Sequence, residues 1–189
     1  MAVDLPTVHE RALEHTGRYV AGVKDGQWHD PTPDEEWDVR TLVNHIVTGN
    51  FWVSPLVEGK TIPEVGNRYD GDLLGHDPAA AYEQSAKEAA AAFNAPGAMS
   101  APCAVSYGPV PGEVYAGHRF IDVLVHGWDL AKATGQDATL PDDLVEAALA
   151  VVEPQREILA ASGMFATGVQ VPDGADRQTR LLAELGRRA

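Results

Sequence analysis

An apolar segment that carries a carboxylate constrains the fold of this chain more than any other feature. Residues 120–125 read Phe-Ile-Asp-Val-Leu-Val and are apolar apart from Asp122. They cover most directions around a helix, and a helix that is apolar on all sides is buried in a protein core. A carboxylate inside such a helix is costly unless it finds a charged or hydrogen-bonding partner. The fold must therefore bury this helix and supply a partner for Asp122.

The residues around Asp122 indicate a metal site. His126 follows four positions later, so the two side chains lie on one face of the helix. His118 and Asp129 extend this polar stripe, and both are candidates for orienting the ligands. A second histidine, His45, lies among apolar residues of another predicted helix. Two such faces can build a three-ligand site between helices, and imidazole with carboxylate suits zinc, nickel or iron(II).

The pattern alone leaves other interpretations open. A buried histidine is most often packed and held by one hydrogen bond, so His45 and His126 need not bind a metal ion. Asp122 could hydrogen-bond to His126, or it could pair with an arginine such as Arg119 or Arg40. A single Asp-x-x-x-His motif is common in helices and does not decide between these interpretations.

Start and stop signals predict the helices. The predicted helices cover about 7–24, 39–58, 78–94, 113–134, 141–161 and 177–185. Asp38 is a cap residue, Asp77-Pro78 combines a cap with proline at the first helical position, and Gly135 is a C-terminal stop. Gly49, one turn after His45, is expected to leave room beside its imidazole.

The connections predict an all-α four-helix bundle with a long second connection and additional C-terminal helices. Residues 59–76 contain Gly and Pro without a clear period, and a connection of that length favours a crossover over a tight hairpin. Only a short strand is expected, at about 103–107. We expect one domain over residues 1–189, with a core bundle at about 5–135 and a C-terminal extension at about 136–189.

Composition excludes several classes of partner. The formal charge is −14, from 14 basic and 28 acidic side chains, which argues against nucleic acid and anionic lipid. No apolar run is long enough to span a membrane, and the N-terminus lacks the pattern of a secretory signal. The single cysteine, Cys103, cannot form an internal disulfide and suits a reducing compartment. We therefore expect a cytoplasmic protein and treat Cys103 as a bystander.

The aromatic residues of the two ligand-bearing helices have two interpretations. Phe51, Trp52 and Trp128 are expected to pack in the core. Trp52, two turns beyond His45, is the one that could instead line the mouth of a pocket.

Several stretches resemble a known family. The most specific are Trp37-Asp38-Val39-Arg40-Thr41-Leu42-Val43-Asn44-His45 and Asp122-Val123-Leu124-Val125-His126-Gly127-Trp128-Asp129-Leu130-Ala131. They are similar to the two signature stretches of a DinB-like (DinB/YfiT-like) metal-binding family. This family is related to the N-terminal domain of mycothiol-dependent maleylpyruvate isomerase, and the resemblance covers nearly the whole chain.

The resemblance implies a fold, a ligand set and a chemistry. It implies a DinB-like bundle in which a histidine and an acid-x-x-x-His pair bind the metal, and these positions fall on His45, Asp122 and His126. The isomerase-type pattern has Glu at the acidic position and many other relatives have His, so Asp122 reaches one methylene less far than Glu.

The resemblance also implies a divalent metal cofactor, with zinc expected first and nickel or iron as alternatives. A low-molecular-weight thiol such as mycothiol would be the cosubstrate of a transferase or isomerase that acts on a small molecule. The metal would bind the thiol sulfur and lower its pKa, or would activate water for hydrolysis. Two alternatives stay open: a non-catalytic metal- or small-molecule-binding stress-response bundle, and a bundle without metal. Bundles of this kind often pair, so a homodimer is the assembly to test.

Overall fold

The computed structural model describes residues 3–156, 169–171 and 173–188, which divide into two compact units. The first unit spans Asp4–Ala138, and the second consists of Thr139–Ala189 together with Met1–Val3. Over the described residues the fold is mostly helical with one two-stranded sheet, which confirms the predicted all-α class. The single domain expected for residues 1–189 stays a prediction.

Four long helices form the first unit. They are α1 (Leu5–Ala21), α2 (Val39–Val57), α4 (Pro78–Phe93) and α5 (Gly112–Thr134), with a short α3 (Ile62–Val65) between α2 and α4. α1 packs against α4 and α5, and α2 packs against the same two helices, as in a four-helix bundle. Short 3₁₀ turns occur at Asp25–Gln27 and Ala98–Ser100.

Helices begin or end at the predicted start and stop residues. The Asp38 carboxylate accepts a hydrogen bond from the Thr41 backbone N–H at 2.8 Å, and Asp77 accepts one from Ala80 at 3.0 Å. These bonds satisfy backbone donors that have no partner inside the helix. α5 ends at Gly135, whose φ of 68° is a left-handed conformation that glycine adopts without steric cost.

The connection between α2 and α4 is a crossover, as its length predicts. Arg40 Nη2 donates to Asp72 Oδ2 at 2.7 Å, and Asn44 Nδ2 donates to the Gly71 carbonyl at 2.9 Å. The chain therefore runs back along the first turns of α2 before α4 begins. As a result, α2 and α4 start at the same end of the bundle.

A two-stranded hairpin replaces the single short strand that the sequence predicts. Strand β1 (Pro102–Val105) pairs antiparallel with β2 (Gly108–Pro111). The prolines of β2 lack an N–H and argue against a strand in the sequence, but an edge strand tolerates them. Gly108, at a φ of 119°, makes the tight reversal possible.

The core of the first unit surrounds α5. Every residue from Tyr115 to Ala131 is buried except Asp122, so the prediction of a buried helix is confirmed. In the second unit, α6 (Asp142–Val152) continues into a 3₁₀ turn at Glu153–Gln155, and α7 (Arg177–Glu184) packs against α6. The part of the predicted 141–161 helix beyond residue 156 lies outside the described residues.

Candidate metal centre

α5 places Asp122 and His126 one turn apart inside the bundle. Because the rest of this stretch of α5 is fully buried, the partial exposure of Asp122 marks an opening towards solvent. Asp122 Oδ1 lies 3.4 Å from His126 Nε2. The spacing of four residues thus brings a carboxylate and an imidazole together, as the sequence predicts.

α2 supplies the third side chain. It runs antiparallel to α5, so that His45 lies opposite Asp122 and His126. His45 Nε2 is 3.4 Å from Asp122 Oδ1, and the two imidazole rings meet edge to face with centroids 4.9 Å apart. The exposed fraction of the side chain falls from 36% at His45 to 20% at Asp122 and 6% at His126. Solvent therefore reaches the group from the His45 side.

The three side chains have a spacing and chemistry that fit one metal ion. One donor atom from each of His45, Asp122 and His126 lies within 4.8 Å of the others. Nitrogen and oxygen ligands of zinc lie about 2 Å from the ion, so two ligands of one ion are up to about 4 Å apart. The 3.4 Å from Asp122 Oδ1 to Nε2 of each histidine falls within that range. If all three bound one ion, coordination positions would remain open, as they do in zinc sites with three protein ligands.

Charges around Asp122 keep it ionised. Burial by itself would raise the pKa of the Asp122 carboxyl, but Arg119, His45 and His126 outweigh it and hold that pKa well below its usual range. Burial would likewise lower the pKa of His126, but Asp122 and Asp129 outweigh it and raise that pKa. A carboxylate held in its charged form is the form that ligates a metal.

Asp129 orients the deepest of the three side chains. His126 Nδ1–H donates to Asp129 Oδ2 at 3.0 Å, and Asp129 is fully buried. This bond holds a proton on Nδ1, so Nε2, which faces Asp122, is the nitrogen that would give up its proton on binding a metal ion. The predicted role of Asp129 in orienting a ligand agrees with this geometry.

Arg119 pairs with Asp122, as one interpretation of the sequence predicts. Its Nη1 donates to Asp122 Oδ2 at 2.7 Å, one turn before Asp122 on α5. Arg40, the other candidate, instead pairs with the crossover. A Cβ at Gly49 would overlap the Arg119 guanidinium, so the missing side chain makes room for Arg119. The sequence did not predict this contact, and the expected room beside His45 stays a prediction.

Trp37 is the residue near the site that the predicted ligand set omits. Its ring packs against His45, with centroids 4.6 Å apart, and against His126 at 5.5 Å. Trp37 stands just before the Asp38 cap, in a stretch without helical periodicity, so no pattern placed it beside the histidines. The only available signal was its position at the start of the family-like stretch that ends at His45.

The remaining polar candidates are His118 and Cys103. His118 is buried, and its Nδ1 lies 2.6 Å from the Tyr107 hydroxyl in the hairpin turn, so that its role in orienting a ligand stays a prediction. Cys103 is buried, and burial raises the pKa of its thiol, which disfavours the thiolate and agrees with a bystander role.

The predicted core aromatics divide into two groups. Trp128 is buried, as predicted. Phe51 and Trp52 are half-buried and pack on Tyr69 in the crossover. The centroid of the Tyr69 ring lies 5.6 Å from that of Phe51 and 5.8 Å from that of Trp52. Within the described residues, no helix has the length and apolar character needed to cross a membrane.

Two known proteins are similar to this chain in sequence. Two proteins of Mycobacterium tuberculosis, from strains CDC 1551 and H37Rv and both described as uncharacterized, are each 40% identical over 151 residues. These matches cover 78% of this chain and 79% of each relative.

Crystal structures of the mycothiol-dependent maleylpyruvate isomerase share the fold. A histidine-to-alanine mutant of that enzyme superposes with a TM-score of 0.61, and the unmutated enzyme superposes with 0.58. Both are 17% identical to this chain, and the match covers 76% of this chain and 66% of theirs.

A family model gives the relationship directly. The model described as the mycothiol maleylpyruvate isomerase N-terminal domain matches residues 9–131, which include all three candidate ligands. The chain therefore belongs to the mycothiol maleylpyruvate isomerase N-terminal domain family, with a DinB-like fold.

Proposed function

We propose that this protein is a metal-dependent transferase or isomerase that uses a low-molecular-weight thiol such as mycothiol and acts on a small molecule. Family membership supports the thiol. The observation that carries the metal is the convergence of His45, Asp122 and His126 from two helices to within 4.8 Å. Their donor types favour zinc, with nickel or iron(II) as alternatives.

The proposed chemistry divides between the ion and the chain. When bound, the divalent ion would lower the pKa of a coordinated thiol, so that the sulfur is a nucleophilic thiolate near neutral pH. His126 presents Nε2 because Asp129 holds its other nitrogen. His45, the most exposed of the three, borders the side from which thiol and substrate enter. Trp37 packs on both imidazole rings and so restricts their orientation.

Metal analysis tests the ligand set. Protein purified without a histidine tag and supplied with zinc is expected to hold about one equivalent, as one three-ligand site requires. His45→Ala and His126→Ala are expected to lose most of it. His76→Ala removes an exposed histidine outside the cluster and is the matched control. Trace metal in the wild type, or unchanged content in both ligand variants, would contradict the proposal.

A reaction screen tests the chemistry. The zinc-loaded protein is incubated with pairs of low-molecular-weight thiols and small electrophiles, including mycothiol with maleylpyruvate. We expect turnover that stops on chelation and returns when zinc is restored. Turnover that persists after complete chelation would rule out a metal-dependent reaction.

A non-catalytic metal- or small-molecule-binding bundle is the second candidate. The match to the solved isomerase is 17% identical and covers 66% of that enzyme, which establishes a shared fold and not a shared reaction. Stoichiometric metal that depends on His45 and His126, together with no turnover for any thiol and electrophile pair, would favour this candidate.

A further inference from the structure

Arg119 is a buried arginine with several partners beside the candidate ligands. It is 8% exposed, and its Nη1 donates to Asp122 Oδ2 at 2.7 Å. On the facing helix, its Nη2 donates to Asn50 Oδ1 at 3.1 Å and lies 3.5 Å from the Ile46 carbonyl. A buried guanidinium is costly unless such partners hold it, so its position is specified by the surrounding fold.

The fold provides a cradle for this guanidinium. Gly49 has no side chain where a Cβ would overlap it. Asn50, which is fully buried, donates from Nδ2 to Ser85 Oγ at 3.1 Å, and Ser85 donates to the Tyr82 carbonyl at 2.9 Å. A chain of hydrogen bonds thus runs from α4 through α2 to Arg119 on α5. It holds the nitrogen of the guanidinium that does not bond to Asp122.

The first consequence is geometric. Arg119 takes Oδ2 of Asp122, so Oδ1 is the oxygen that lies 3.4 Å from both His45 and His126. Aspartate has a short side chain, and a rotation of its carboxyl would move the ligand oxygen away from the histidines. Arg119 prevents that rotation by a charge-assisted hydrogen bond.

The second consequence concerns charge. Asp122 and the buried Asp129 each carry one negative charge, and Arg119 carries one positive charge. With neutral histidines, a divalent ion would leave the group with one net positive charge, which one monoanionic ligand would balance. Without Arg119 the same anion would leave a net negative charge in a mostly buried site, which is unfavourable.

We propose that Arg119 is a positioning residue that holds the Asp122 carboxylate for metal binding and, through its charge, makes the site prefer an anionic ligand such as a thiolate over a neutral one. This inference rests on the proposed function, because it requires that His45, Asp122 and His126 bind a divalent ion. It adds a residue outside the ligand set and assigns the charge class of the molecule that completes the site.

The test uses the full-length protein loaded with Co²⁺, whose visible absorption reports its ligands. The titration is run at about pH 8.5, where thiocyanate is a monoanion and imidazole is neutral, so neither probe has to lose a proton to bind. In Arg119→Met we expect the preference for thiocyanate over imidazole to fall about ten-fold, the size of one nearby unit charge at a partly buried site. Arg119→Lys keeps the positive charge but loses the planar set of donors of the guanidinium. It is expected to restore much of the preference for thiocyanate and still to bind Co²⁺ more weakly than the wild type.

Two further variants keep the test decisive. Asn50→Asp is nearly isosteric, retains Arg119 and adds a negative charge beside it, so it is expected to reduce the preference for thiocyanate even if Arg119→Met does not fold. Arg40→Met removes the ion pair between Arg40 on α2 and Asp72, which does not involve the three ligands. Its affinities for thiocyanate and imidazole are expected to equal those of the wild type.

The outcomes separate the two proposals. Co²⁺ binding with an unchanged thiocyanate-to-imidazole ratio in Asn50→Asp and in every folded Arg119 variant would overturn the role of Arg119 and leave the proposed function intact. A wild type that binds no Co²⁺ or zinc would overturn the proposed function, and the role of Arg119 with it.

Discussion

His126 and Asp129 form a buried hydrogen-bonded pair one turn apart on α5, with Nδ1 and Oδ2 separated by 3.0 Å. Asp129 has no exposed surface, and the His126 side chain is 6% exposed. Nε2 of the same imidazole faces Asp122 at 3.4 Å. The pair thus determines which nitrogen is available to the candidate metal centre.

Replacing Asp129 is expected to weaken metal binding without removing a ligand. Asp129→Asn keeps the size of the side chain but loses the charge that supports His126. Such a change in the partner of a ligating histidine costs about 10- to 100-fold in metal affinity. Titration with zinc by calorimetry measures the effect. Asp72→Asn, which alters an exposed aspartate paired with Arg40, is the control, and equal zinc affinity in the two variants would contradict the role of Asp129.

Adding a methyl group at position 49 is expected to disturb the site through Arg119. The new Cβ of Gly49→Ala would overlap the guanidinium, which is tied to Asp122 and Asn50 and has little freedom to move. Overpacking of this kind lowers the free energy of unfolding by about 1–3 kcal/mol. Urea unfolding measures the loss, and zinc affinity should fall with it.

The control for this substitution is Gly26→Ala. A Cβ at Gly26 meets open space, so its free energy of unfolding should change by less than about 0.5 kcal/mol, as for most surface substitutions. A stability of Gly49→Ala equal to that of the wild type would show that the guanidinium can yield without cost.

Trp37 is expected to report occupancy of the site. Its ring contacts both candidate histidines, so binding of a quenching ion such as Co²⁺ should reduce its fluorescence more than that of a distant tryptophan. In Trp37→Phe the quenching at saturating Co²⁺ should largely disappear. Trp52→Phe, which removes a ring packed on Tyr69, should retain it. Quenching that is lost in Trp52→Phe and kept in Trp37→Phe would place the bound ion elsewhere.

His9 is expected to make the fold acid-sensitive. It is fully buried, packs edge-on against Phe93 at 5.0 Å, and has no hydrogen-bond partner at either ring nitrogen among the described residues. Burial, with a smaller contribution from Arg119, lowers the pKa of His9 from 6.5 to about 3. Between these two pH values the unfolded chain binds a proton that the folded chain does not. The stability from neutral His9 is therefore complete above pH 6.5 and is lost as the pH falls towards 3.

His9→Gln removes this source of acid sensitivity. Each pH unit below 6.5 should lower the unfolding free energy of the wild type relative to this variant by about 1.4 kcal/mol. Urea unfolding at pH 7 and at pH 5 measures the difference. His76→Gln, at an exposed position, should follow the wild type at both pH values. Parallel pH profiles for the wild type and His9→Gln would show that His9 is not buried in its neutral form.

The helices were predictable because their signals are local. Asp38, Asp77-Pro78 and Gly135 act within one turn of their own position, and the structure begins or ends helices at each of them. The apolar character of α5 required burial on all sides, and the structure buries it. The hairpin at β1 and β2 was harder, because its pairing depends on an edge position that no local pattern reveals.

The candidate site was predictable only in part. The spacing of Asp122 and His126 places them on one face, and His45 emerged from its apolar surroundings on another helix. Trp37 and the purpose of Gly49 were missed, because both depend on which side chain of another element comes to lie against them.

By itself the sequence determined the bundle helices, the buried helix α5 and the polar stripe on it, since periodicity, caps and residue spacing act within one element. Only the tertiary structure decided which partner Asp122 takes. Arg40 pairs with Asp72 in the crossover. Arg119 lies one turn from Asp122, and its guanidinium occupies the space beside Gly49 on the antiparallel helix α2. The physical reason is that a buried charge takes the partner that the packing of helices distant in sequence brings within hydrogen-bonding distance.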